Sequence, residues 1–102
     1  MNLNLEDLRE LLGAKKTHSY EVGKCYFIRG VTLYYTGRLV SVTDEDIVLE
    51  DAAWVADSGR FSTALKTGEL SEVEPFISPV IVPRTSICDV TEWPHELPRE
   101  AK

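Results

Sequence analysis

The stretch from Tyr26 to Ala52 constrains this chain more than any other part of it. It reads YFIRGVTLYYTGRLVSVTDEDIVLEDA, rich in β-branched and aromatic residues. Such residues suit a pleated, half-buried surface. The stretch is broken by Gly30 with Val31, and again by Thr43, Asp44 and Glu45. Gaps this short between strand-like runs are hairpin turns. The pattern predicts strands over 24–29, 32–42 and 46–55, joined as an antiparallel meander. Gly37 falls inside the second strand, where a missing side chain permits the sharp bend of a small barrel.

Strand composition returns in VIVPRTSICDVTEW. It predicts a fourth strand over 80–83 and a fifth over 85–93. Pro83 between them marks an edge or corner, because proline cannot donate to a ladder. Five short, bent strands predict a mainly β fold, a small antiparallel barrel. The intervening segment, 57–79, is different. Ser58 or Asp57 is placed to cap a short helix that sets Phe61, Ala64 and Leu65 at i, i+3 and i+4, with Gly68 as its stop. Pro75 and Pro79 then bracket a loop. An excursion of this length is either functional or an added packing element.

At the start of the chain, Asn4 is placed to cap a helix over 5–12, with Asp7 in its first turn and Leu5, Leu8, Leu11 and Leu12 as its apolar stripe. Gly13 is its stop and the next ten residues read as a loop. The tail over 94–102 is polar, contains Pro94 and Pro98, and is expected to fray. The single domain is expected over 1–93.

A chain of 102 residues with 43% hydrophobic content is one globular domain, of a size for which self-association is a common source of stability. No apolar run is long enough to span a membrane. The acids in MNLNLEDLRELLG argue against a secretory leader, so a cytoplasmic protein is expected. Cys25 and Cys88 lie in apolar segments at no metal or redox spacing, and both are read as buried free thiols. The net charge of −6 argues against an extended nucleic-acid face. Between Arg38 and Arg60 lie Asp44, Glu45, Asp46, Glu50, Asp51 and Asp57 with no basic residue, a stretch that repels phosphate.

The order of elements resembles the Sm-like family, which includes the Sm and LSm proteins and bacterial Hfq. The likeness covers about residues 5–56 and 80–93. The family's first motif is similar to Gly37, Leu39, Val42, the acidic turn from Asp44 to Asp46, Ile47, Leu49 and Asp51. In the second motif, Pro83 and Arg84 stand where the family has an Arg-Gly corner. The chain also resembles a group of uncharacterised, often phage-associated small Sm-like proteins. The shared pattern there is Gly37, Leu39, Leu49, Asp51, Ala52, Trp54, Ser58 with Gly59, and a short helix ending at Gly68.

The resemblance implies a homo-oligomeric ring of about five to seven protomers, closed by pairing strand four of one copy with strand five of the next. Val80, Ile81, Val82, Ile87 and Val90 are the expected interface residues. The resemblance also implies an RNA site where the turn between strands two and three meets the corner between strands four and five. The matching positions are Asp44, Glu45 and Asp46, and Pro83, Arg84 and Thr85. Arg84 is the residue suited to phosphate or base stacking there. Against this stand a turn capped by Asp44 and an Arg84 that is only a surface cation. Two functions therefore remain open: an RNA-binding ring, or an oligomeric structural or protein-interaction module.

No residue pattern suggests an enzyme. His18 and His95 are isolated in polar segments, and no nucleophile elbow, phosphate loop or HExxH occurs. Asp44, Glu45 and Asp46 carry hard oxygens but too few ligands for a cation loop, and no cofactor or metal is expected. Tyr34 and Tyr35 face opposite sides of a strand, so at least one is expected in the core. Trp54 and Trp93 end strands and read as packing or interface anchors. Nothing in the sequence brings Arg29, Arg38, Arg60 and Lys66 into one patch.

Overall fold

The computed structural model describes residues 18–102, and the helix expected over 5–12 lies outside the described residues. Six strands form one antiparallel sheet: β1 (Cys25–Gly30), β2 (Tyr34–Val42), β3 (Asp46–Asp57), β4 (Glu72–Pro75), β5 (Val80–Pro83) and β6 (Ile87–Glu92). The helix α1 (Phe61–Thr67) precedes β4, and a 3-10 turn, Arg84–Ser86, joins β5 to β6. The sheet runs β4-β3-β2-β1-β6. The long β3 also pairs with β5, which occupies its first residues from Asp46 to Leu49, while β4 occupies its end from Ala53 to Asp57.

The mainly β fold and the meander are as expected, but the five-stranded barrel needs correction. The sheet has six strands, and among the described residues no ladder joins β5 to β6. β5 stops at Pro83, which has no N–H to extend a ladder, and the 3-10 turn sends the chain to β1 instead of back along β5. The sixth strand, β4, lies within the 57–79 excursion, where no strand was expected. Its four residues, EVEP, are too few and hold too little apolar surface to signal a strand alone, and they are held by the pairs Val55 with Val73 and Trp54 with Glu74.

Both faces of the sheet are covered, so β1 buries Tyr26, Phe27 and Ile28 in succession without alternation. Tyr26 and Ile28 join Leu39, Ile47, Leu49, Ala52 and Val82 in a first core. Phe27 points the other way, into a second core with Ala53, Val55, Ala64, Leu70, Val73 and Trp93. Its ring lies 5.6 Å from those of Phe61 and Trp93 and 6.0 Å from that of Tyr34. Within the 57–79 excursion, α1 covers the second face, and β4 extends the sheet beside β3 and adds Val73 to that core.

The helix ends as expected at Gly68, whose φ is +81° and whose N–H bonds the Ala64 carbonyl at 2.8 Å. Its start differs. Arg60 is the N-cap and makes no capping bond, because Asp57 accepts from the Gly59 N–H and the Ser58 hydroxyl donates to the Gly59 carbonyl. The tail is not frayed. The Trp93 indole donates to the Glu96 carbonyl, His95 bonds the Leu65 carbonyl at 2.7 Å, Leu97 packs on the second core, and Lys102 makes two backbone bonds with Val73. Composition misleads here because Trp93 and Leu97 are enough to anchor an otherwise polar segment.

Thr36 lies between Phe27 and Ala53 in the register, is fully buried, and its hydroxyl has no partner. A buried hydroxyl without a bond destabilises the fold. Thr36→Val keeps the shape and removes the orphan, so it is expected to stabilise the protein by about 1 kcal/mol. Urea unfolding at constant m-value checks this; an unchanged or lower midpoint refutes it.

Exposed ion pairs tie β6 to β1. Arg29 holds Asp89 through two bonds, one of 2.7 Å from Nε, and Lys24 holds Glu92 at 2.6 Å. The Arg29 hydrogen bonds hold the Asp89 carboxyl below the usual carboxylate range. A carboxyl depressed in the folded state contributes stability above its unfolded pKa and loses it as pH falls through its folded value. Asp89→Asn is therefore expected to remove one acid-titrating step below pH of about 4, seen as a shallower acid limb in thermal midpoints at low salt. An acid limb identical to wild type refutes the assignment.

Candidate functional site

The β2–β3 turn and the β5–β6 corner meet. The turn is closed by the Thr43 N–H bonding the Asp46 carbonyl at 2.9 Å. Its cap is Thr43, not Asp44: the Thr43 hydroxyl accepts from the N–H of Glu45 at 3.2 Å and of Asp46 at 3.1 Å. A hydroxyl two or three residues ahead of an N–H is the geometry of an ST turn. Asp44 and Glu45 consequently project into solvent, and Asp46 is half-buried.

Arg84 fastens the corner to this turn twice. Its N–H bonds the Glu45 carbonyl at 2.9 Å, and its guanidinium donates to the Thr43 carbonyl at 2.8 Å. The guanidinium carbon lies 5.7 Å from the centre of the Tyr20 ring, within cation–π range. Tyr20 leans edge-on against Tyr26 and its N–H bonds the His18 ring at 3.1 Å. A shallow cavity of about 420 Å³ opens beside Arg84, with His18, Tyr20, Ile87 and Asp89 among its walls. Thr85 is exposed at the same corner.

Arg84, Thr85 and the acidic turn therefore form one constellation, built from residues some forty positions apart. Its other half, His18 and Tyr20, was missed in the sequence, where both lie in a polar loop without periodicity. Chemically the site offers a partly engaged guanidinium, an aromatic face and the carboxylates of Asp44 and Glu45, which are exposed. Arg84 is positioned first of all as a clamp, because two of its donors are spent on backbone carbonyls.

The expected interface residues fall into two groups. Val82 is turned inward, 2% exposed, and Val80, Ile87 and Val90 are half-buried against the first core. Ile81 alone projects, at 66% exposure. The Cys25 thiol is half-buried and free, whereas Cys88 is exposed, against expectation. The ladder pairs Gly30 with Ile87 and Arg29 with Asp89, so Cys88 is the unpaired residue of a bulge and turns out of the core.

Of the basic residues Arg29, Arg38, Arg60 and Lys66, Arg29 is bound to Asp89, and Arg38 to Glu50 and Asp51 at 2.9 Å each. The described residues hold no group of three or more His, Cys, Asp or Glu side chains placed to share a metal ion, and no helix long and apolar enough to cross a membrane. Searches against protein-family models, curated proteins and solved structures return no match.

Proposed function

We propose that this chain is a non-enzymatic, Sm-like module that assembles into a ring through its β5 and β6 edges. One observation carries the reading. β5 and β6 are consecutive strands, yet they lie on different borders of the sheet, β5 beside β3 and β6 beside β1, and each has its outer backbone edge unpaired among the described residues. Head-to-tail closure needs two different free edges on one protomer. Ile81 on β5 and Cys88 on the β6 bulge are among the exposed side chains of those two strands.

Light scattering is expected to give a discrete assembly of about five to seven copies. Ile81→Lys, which places a charge on an exposed edge position, is expected to reduce it to folded monomer. A monomeric wild type overturns the ring. The structural or protein-interaction role is favoured over RNA binding, because Arg84 is engaged with the Thr43 carbonyl and flanked by the exposed carboxylates of Asp44 and Glu45.

RNA binding at the corner remains as a second reading, favoured by the guanidinium of Arg84 over the Tyr20 ring. It predicts binding of single-stranded RNA that weakens with salt and is lost in Arg84→Ala. No binding at low salt refutes it. Binding unaffected by the substitution refutes this placement of the site.

A further inference from the structure

At the opposite end of the β2–β3 ladder from the Arg84 corner, the first face of the sheet opens into a cleft of about 400 Å³. It is lined by Leu33, Tyr35, Trp54, Glu74, Pro75 and Phe76. Tyr35 and Trp54 are cross-strand partners, and Trp54 is paired in turn with Glu74, so a row of two rings and a carboxylate crosses β2, β3 and β4. Phe76 closes the cleft from the loop after β4, its ring 6.2 Å from that of Tyr35. All three aromatic side chains are half-buried, so each keeps part of its surface open to solvent. Glu74 is exposed and has no ion pair among the described residues.

We propose that this cleft binds the alkylated ammonium head of a modified lysine side chain on a partner protein. Ring faces carry negative electrostatic potential and attract cations, most strongly that of tryptophan. A carboxylate at the rim and a net charge of −6 add attraction for the same sign. Glu74 is the one charged side chain of the lining and the Tyr35 hydroxyl its one other side-chain acceptor, too few for the five donors of a guanidinium but suited to a head with few or none. The cleft is shallow and larger than a single ammonium head, which leaves a path for the side-chain stem and the peptide carrying it. None of its residues lies on β5 or β6, so the site is independent of the proposed assembly and of the corner at Arg84.

The test is a nuclear magnetic resonance titration of the full chain with three otherwise identical peptides. They carry trimethyllysine, unmodified lysine, or the uncharged tert-butyl isostere of trimethyllysine; choline is a fourth probe. The indole N–H signal of Trp54, assigned through Trp54→Phe, is expected to move with the trimethyllysine peptide. That of Trp93, bonded to the Glu96 carbonyl, stays in place and reports an intact fold. The uncharged peptide is expected to bind about tenfold more weakly, Glu74→Gln a few-fold more weakly, and Trp54→Ala not detectably. Equal binding of charged and uncharged peptides overturns the cation site and leaves an apolar groove. Choline binding as tightly as the trimethyllysine peptide overturns the protein partner in favour of a small-molecule ligand. No movement of the Trp54 signal at millimolar peptide overturns the proposal outright.

Discussion

Trp93→Ala is expected to destabilise the protein by about 4 kcal/mol. Trp93 is 2% exposed and packs on Phe27 and, edge-on, on His95 at 4.9 Å. It also sits where the chain leaves β6: its N–H bonds the Cys25 carbonyl at 2.9 Å and its indole bonds the Glu96 carbonyl. Truncation leaves a cavity under α1 and frees the tail that His95 and Leu97 hold down. A domain of this size has about 5–15 kcal/mol in total, so a large share is lost. Trp93→Phe keeps most of the ring packing, gives up the indole bond, and is expected to cost about 1 kcal/mol. Urea unfolding of the pair decides the matter. A loss below about 1 kcal/mol for the alanine variant means that the roof over the second face contributes little.

Gly37→Val is expected to destabilise by about 3 kcal/mol for the opposite reason, overfilling. A Cβ at residue 37 would lie 3.0 Å from the Leu49 Cβ and 3.1 Å from the Ala52 Cβ, and valine adds two methyl groups beyond it. The surroundings cannot yield easily. Opposite Gly37 the ladder jumps from Thr36 with Ala53 to Arg38 with Glu50, so Asp51 and Ala52 together face one glycine. Asp51 turns this bulge with φ at +49°, and its carboxylate is held by Arg38 at 2.9 Å and Arg99 at 3.6 Å. Ala52→Gly removes one of the two clashing carbons. In a double-mutant cycle it is expected to recover part of the loss from Gly37→Val. Strict additivity of the two substitutions would show that the close approach at Gly37 is not what the valine disturbs.

Much of this architecture was legible along the chain. Val80–Pro83 emerges as a strand with the bounds expected from its apolar run and terminal proline, and α1 follows from Phe61, Ala64, Leu65 and the Gly68 stop. β4 was not legible, because EVEP becomes a strand only beside β3. Cys88 is exposed although it lies in an apolar segment, because the bulge in β6 turns it out of the core, which composition does not register. At the corner, Arg84 and the acidic turn were found by position. Thr43 as the cap and Tyr20 under the guanidinium were not, since local pattern does not register a hydroxyl's choice of N–H or a contact across sixty residues. The aromatic cleft is not legible for a related reason: only the pairing of β2 with β3 sets Tyr35 beside Trp54, and Phe76 reaches them from a loop.

The Tyr26–Ala52 stretch by itself determined the meander, the turns at Gly30 and Thr43, and the need for a glycine at 37. Those are consequences of side-chain shape and backbone freedom within a few residues. Only the tertiary structure decided that the sheet stays open with β5 and β6 on separate borders, that both its faces are buried, and that the polar tail is a structural strap. Each of these depends on which distant segment covers which surface, and that is settled by burial of apolar area across the whole chain.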